Sequence, residues 1–222
     1  MPANGPINAP ATDAKNAKEI DVSFYTYDEN HQFAAMYPLM ARQILEDFGE
    51  GKRTVLDIGT GGAPLPIEMA KISDLDLTGV DNNPQVLDLA RRNVARHGLA
   101  PERIRLIECE VYDLPLEDGS VDLVISRGSI PFWEDLPRAF AEIYRVMAKG
   151  GTGFVGCGFS RYQTVEEVRG MRPEWSGSKG KDDPRNAWKQ GDRLSKSIED
   201  AGIKDFRISR DDYGCWAVIS KP

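Results

Sequence analysis

The chain has 222 residues, 41% apolar and 28% charged, which suits one good-sized domain with a buried core and leaves little room for a second. Asp and Glu outnumber Lys and Arg 35 to 28, and a net charge of −7 removes the usual reason to expect a nucleic-acid partner, a cationic surplus facing phosphates. The three cysteines, Cys109, Cys157 and Cys215, form no C-x-x-C pair; they argue against a disulfide scaffold or a bound metal and fit a cytoplasmic setting.

No apolar run approaches the ~20 residues of a membrane span, and the first residues lack a signal-peptide pattern. Residues 1–20, rich in Pro, Ala, Asn and Lys, read as a disordered leader, with order beginning near Val22–Tyr27. Residues 21–222 then form a single domain, whose stretch 21–50 supplies an N-terminal helix ahead of the alternating elements. There Phe33, Met36, Tyr37, Met40, Ile44 and Leu45 recur at helical spacing, with a kink or a start at Pro38.

Next, strands and helices alternate. Thr54–Ile58 reads as a strand, Leu65–Lys71 as a helix and Asp76–Val80 as a strand. A helix follows with Asn83 at its cap and Pro84 in its first turn. Ile104–Cys109 and Val121–Ser126 are strands, Asp135–Lys149 is an amphipathic helix, and Thr152–Cys157 is a fifth strand. This alternation predicts an α/β fold with a mostly parallel sheet covered by helices on both faces. After residue 160 the rhythm breaks. Thr164–Glu167 has the capping-box pattern of a short helix. The stretch 160–196 carries nine Lys/Arg against six Asp/Glu, with Trp175 and Trp188; it is either a cap over a pocket or a solvated loop whose tryptophans plug gaps. Asp192–Ala201 reads as a helix stopped by Gly202. Asp205–Arg210 and Tyr213–Ser220 are joined too tightly for a crossover and must pair antiparallel.

The informative segment is VLDIGTGGAPLPIEMA. Asp57 closes a strand, Gly59 and Gly61 follow, and a helix opens near Pro64. Such a turn lets a ligand approach bare backbone N–H groups at the end of the sheet where ligands bind. A dinucleotide fingerprint beginning at Gly59 needs glycine at position 64, where this chain has Pro64. Asp57 is foreign to that fingerprint too, and suits an ammonium group, which a pyrophosphate ligand lacks.

DIGTGG resembles the first motif of class I S-adenosyl-L-methionine (SAM)-dependent methyltransferases, D/E-x-G-x-G-x-G, with Ala63 in place of the third glycine. In LTGVDNN, Asp81 lies 22 positions after Gly59, where that family's acidic residue holds the ribose hydroxyls. CEVYDLPLEDGSVDLVISRGS resembles the family's G-D-A-x-x-L-P-F-x-D-x-S-F-D-x-V, with Glu110 where an Asp faces the adenine amino group. MAKGG resembles L-K-P-G-G. The flavour is that of the small-molecule group containing ubiquinone- and menaquinone-pathway enzymes. The resemblance implies a Rossmann-like, doubly wound sheet of seven strands, the last antiparallel. It implies SAM as cofactor, S-adenosyl-L-homocysteine as product, and a cofactor set of Asp57, Gly59, Thr60, Gly61, Asp81, Asn82, Glu110, Val111 and Ser126.

In the resembled group an N-terminal segment folds over the cofactor, so FYTYDENHQF makes Tyr25, Tyr27 and His31 lid residues and candidate catalytic groups. After the fourth strand, SRGSIPFW lacks the D/N-P-P-Y/F of base-methylating enzymes. Arg127 there binds an anionic acceptor or holds a nearby carboxylate. Phe132 and Trp133 wall an acceptor pocket or pack the next helix, and Trp175 joins Arg127 and Trp133 as a substrate-binding candidate within the cap-like insertion 160–190. The expected function is methyl transfer to a small-molecule acceptor by in-line displacement. A SAM-binding sensor or partner subunit without turnover is the alternative.

Overall fold

A computed structural model describes residues 21–172 and 184–222. The expected leader and Trp175 lie outside the described residues. Helix α1 (Met36–Phe48) begins two residues before Pro38, so the proline occupies the first turn, where its missing N–H costs nothing, and no kink is needed. Then follow β1 (Thr54–Ile58), α2 (Pro64–Ile72), β2 (Asp76–Asp81), α3 (Pro84–Arg96), β3 (Ile104–Glu108), β4 (Val121–Arg127), α4 (Leu136–Val146) and β5 (Met147–Gly158). The tail adds α5 (Val165–Met171), α6 (Arg193–Asp200), β6 (Phe206–Asp211) and β7 (Gly214–Lys221).

Several ends obey signals in the sequence. Asn83 Oδ1 accepts from the N–H groups of Gln85 and Val86 at the start of α3. Thr164 and Glu167 close a full capping box on α5. Helix α4 stops at Val146, short of the expected Lys149, because Met147 already pairs with Val121 as the first residue of β5.

The sheet has seven strands in the order β3-β2-β1-β4-β5-β7-β6. All pairings are parallel except those of β7, which runs antiparallel to both β5 and β6. Alternation along the strands splits the core into two layers. Val55, Leu123, Ile125 and Phe154 face α1, α2, α3 and α5, while Leu56, Val124 and Val155 face α4 and α6. The chain moves outward from β1 to β3 and then returns to place β4 beside β1. Loops therefore diverge between β1 and β4 at their C-terminal ends, the position where doubly wound sheets open a crevice. At the other end of β1, the Asp122 carboxylate accepts from the Arg53 and Thr54 N–H groups (2.9 and 3.1 Å), so its role is to tie β4 to β1.

Candidate active site

A cavity of about 870 Å³ opens at that crevice, toward the upper end of the range for small-molecule sites and roomy enough for a cofactor with an acceptor. One half is built by the β1–α2 turn. Gly59 has φ 67°, and a Cβ there would stand 2.4 Å from the Ser129 Cβ. Valine at this position is therefore excluded twice, by backbone conformation and by space. Ala63 also adopts the left-handed conformation (φ 60°), which explains why the resembled motif has glycine there.

Two carboxylates flank the turn. Asp81, at the end of β2, accepts from Gly61 N (3.0 Å) and Asn83 N (3.1 Å) through different oxygens. A carboxylate offers about four acceptor positions, so two remain for a pair of vicinal hydroxyls. Asp57 is 4% exposed and accepts from the Thr60 hydroxyl (2.8 Å). Burial pushes its pKa up to about 7; Asp81 pushes the same way, while the Thr60 hydroxyl bond and Arg127 oppose it. Beyond β3, Glu110 accepts from Asn82 Nδ2 (3.1 Å), and both line the cavity with Val111. Bare loop backbone, a carboxylate with free acceptor positions and a second, desolvated carboxylate fit a cationic nucleoside. Asp57, Gly59, Thr60, Gly61, Asp81, Asn82, Glu110 and Val111 all line one cavity. Ser126 does not. It is buried behind the turn, donating to Ile58 O (2.8 Å) and pairing with Ser129 Oγ, so it braces the loop from beneath.

The catalytic candidates separate. Tyr27 is 3% exposed and off the cavity wall; its hydroxyl donates to Glu68 (2.8 Å) and its ring stacks on His97 at 4.9 Å. That corrects its expected catalytic role: Tyr27 anchors the N-terminal segment. Tyr25 lines the cavity with its ring over Gly61, but burial and Asp81 raise its phenol pKa, so it stays protonated and does not suit a base. His31 also lines the cavity. Its Nδ1 accepts from Phe33 N (3.1 Å), and burial followed by Arg127 lowers its pKa. A ring nitrogen already committed to the backbone is poorly placed to take a substrate proton.

The other half of the cavity starts at Arg127. Its Nε donates to Gly158 O (2.9 Å), and its guanidinium lies 4.7, 5.3 and 5.8 Å from the ring centroids of Phe33, Tyr37 and Phe159. Among the described residues no carboxylate lies within ion-pair distance of it. Trp133 lines the cavity and also packs edge-on against Phe140 of α4 (6.1 Å). Phe132 is 45% exposed at the mouth. The rim includes Arg172, Lys189, Arg210, Asp211 and Asp212, while Trp188 is buried in the α4–α6 layer.

Sequence reasoning found neither the ring box around Arg127 nor the register that sets Cys157 beside Cys215. Cys109, Cys157 and Cys215 all line the cavity, and the last two are direct partners across β5 and β7. Among the described residues no group of three or more metal-ligating side chains converges. Asn93, 0% exposed inside α3, was also missed, although a polar residue amid the apolar positions Leu89, Ala90 and Val94 was its signal.

A family model described as a methyltransferase domain matches residues 56–155. A demethylmenaquinone methyltransferase of Chlorobaculum tepidum is 31% identical over 52% of this chain and 44% of its own length. The chain spans less than half the length of the curated relatives it matches. A crystal structure of a Methanococcus maripaludis protein assigned to the SAM-dependent methyltransferases is 33% identical over 86% of this chain and 87% of its own, with a TM-score of 0.76. The fold is shared by Haemonchus contortus phosphoethanolamine N-methyltransferase 2, in complex with phosphomonomethylethanolamine and S-adenosylhomocysteine (24% identity, 77% of this chain and 38% of that one, TM-score 0.56). The chain belongs to the SAM-dependent methyltransferases.

Proposed function

We propose that this chain methylates a small-molecule acceptor that carries an anionic group. The observation that supports this reading most is Arg127. A half-buried guanidinium with no carboxylate partner among the described residues is costly to desolvate unless a ligand supplies the counter-charge. Its aromatic box fixes it on the cavity wall, and the acceptor end is placed there in this reading.

Bound at the glycine turn, SAM supplies a methyl group made electrophilic by its sulfonium sulfur. The protein's residues hold and orient. Asp81 would accept the ribose hydroxyls, Asp57 would face the cationic portion, and Glu110 with Val111 would border the adenine. Arg127 and Trp133 would set the direction from which an acceptor approaches, because transfer depends on holding two reactants in one orientation. The acceptor surrenders its proton to water or arrives already deprotonated, because neither Tyr25 nor His31 is suited to take it.

A cap at the acceptor end is supported only by Arg172 and Lys189, which line the cavity on either side of residues 173–183, outside the described residues. A neutral, quinol-like acceptor is the second reading. The apolar mouth of Phe24, Pro131, Phe132 and Trp133 and the demethylmenaquinone methyltransferase likeness support it. Among the described residues no helix is long and apolar enough to cross a membrane, and no cysteine is paired. A cytoplasmic setting is accordingly our reading.

The test is S-adenosylhomocysteine production from SAM with matched acceptors, a carboxylate-bearing phenol, thiol or amine against its amide. Preference for the carboxylate, lost in Arg127→Leu, supports the proposal. Equal turnover of both favours the quinol-like reading. Binding of SAM with no product from any acceptor class points to a sensor or partner subunit.

A further inference from the structure

Asn93 projects from α3 into the space between the N-terminal segment and the glycine turn. Its Nδ2 donates to Tyr25 O and to Gly62 O, both at 2.9 Å. Its Oδ1 accepts from Tyr27 N (3.2 Å) and from Arg96 Nη1 (3.1 Å). A carboxamide has two N–H donors and two acceptor lone pairs, so its capacity is fully used. Leucine would suit the same helix position without the desolvation cost of a buried amide. The pattern of partners gives the amide a purpose: one side chain ties the backbone of residues 25–27 to the backbone of the turn.

The space around it is closed. A Cβ on Gly62 would stand 2.0 Å from Tyr25 O and 2.8 Å from Asn93 Nδ2, and a Cβ on Gly61 would stand 3.1 Å from the Tyr25 ring. Tyr27 has a second anchor in His97, whose Nε2 lies 3.1 Å from Tyr27 O. With Tyr27 held on both sides, the ring of Tyr25 is fixed over the turn.

We propose that Asn93 is a positioning residue for the cofactor. It makes docking of residues 21–33 and shaping of the glycine turn a single event, so the cofactor meets a turn already roofed by Tyr25. The proposal rests on the reading that this turn holds SAM. Asp is the informative replacement. A carboxylate keeps the bonds from Tyr27 N and Arg96, but sets an oxygen against the carbonyls of Tyr25 and Gly62.

The experiment uses the full chain, with S-adenosylhomocysteine as the probe, read by calorimetry and by amide hydrogen exchange. In the wild type, residues 21–33 and 59–63 are expected to exchange as one unit, and the probe slows both. Asn93→Asp should weaken the probe about tenfold or more, since both Nδ2 hydrogen bonds are lost and each becomes a repulsive contact. It should speed exchange in those two segments while β4 and β5 keep their protection. Ile44→Val, a core change in α1, controls for general loss of stability and should leave probe affinity unchanged. Probe affinity of Asn93→Asp within twofold of wild type overturns the proposal, as does an equal loss in Ile44→Val. If Asn93→Asp does not fold, the wild-type exchange decides: independent exchange of the two segments overturns the proposal, and joint exchange supports it. A wild type that binds no probe overturns the cofactor reading itself, a result distinct from a bound probe that ignores Asn93.

Discussion

The two ends of the cavity are built in different ways. The cofactor end comes from short stretches at the tips of β1, β2 and β3, where backbone N–H groups and two carboxylates do the work. The end we propose for the acceptor is assembled from distant parts. Phe33 and Tyr37 precede the sheet, Arg127 ends β4, Phe159 follows β5, and Arg210 and Cys215 come from the last hairpin. A backbone cradle tolerates little change, because its shape is its function. A side-chain box can be altered residue by residue while the fold stands. In this chain, therefore, the glycine turn is set by backbone shape and the far end by individual side chains.

The largest expected effect is at the cradle. Gly59→Val places a β-branched residue in the left-handed region and drives its Cβ into Ser129, so S-adenosylhomocysteine affinity should fall at least about a hundredfold, read by calorimetry. At the opposite end, Arg127→Leu should raise the KM for an anionic acceptor about tenfold or more, the scale of one lost charge-assisted pair. S-adenosylhomocysteine affinity should stay within twofold. If both ligands weaken equally in both variants, the two ends are not separable and the contrast fails.

The pH dependence sharpens the comparison, because the burial that raises Asp57 lies at the glycine turn. The folded pKa of Asp57 is raised to about 7, above its unfolded value near 4. The folded state therefore holds this proton more tightly than the unfolded one. The sign is that stability from this group is full below about pH 4 and is lost as pH rises toward 7. Binding of a cationic ligand has the opposite slope: affinity should climb to about pH 7 and level off above it. Asp57→Asn should remove both slopes, and at pH 8 it should raise the melting temperature while weakening the ligand. Melting curves and titrations between pH 5 and 8 read this. The smallest effect is expected at Ala63. Glycine would relieve the left-handed strain there but adds freedom to the unfolded chain, so Ala63→Gly should change stability by less than about 1 kcal/mol, with affinity intact.

Much of the cofactor end was legible because its parts are local. Asp57, Gly59 and Asp81 sit at strand ends that apolar periodicity locates, and Pro64 separates this turn from a dinucleotide fingerprint. The tight β6–β7 connection likewise required an antiparallel pair, and Asp211 Oδ1 closes that turn on Tyr213 N and Gly214 N (2.8 and 3.1 Å). The rest depended on contacts between distant residues. Tyr27 has the right chemistry for catalysis, yet Glu68 on α2 claims its hydroxyl. Ser126 lies one residue before the end of β4 at the crevice, but its side chain turns toward Ile58 and Ser129. No local pattern announces that Phe33, Tyr37 and Phe159 enclose Arg127, or that register pairs Cys157 with Cys215.

The claim beneath all of this is that the carboxylate ending β2 grips a sulfur nucleoside against the glycine turn. Calorimetric titration of the wild type and Asp81→Ala with S-adenosylhomocysteine tests it most directly. The account predicts micromolar binding of one ligand per chain in the wild type and no measurable heat in the variant. A wild type that neither releases heat nor gains thermal stability, or a variant that binds as well as the parent, would contradict it.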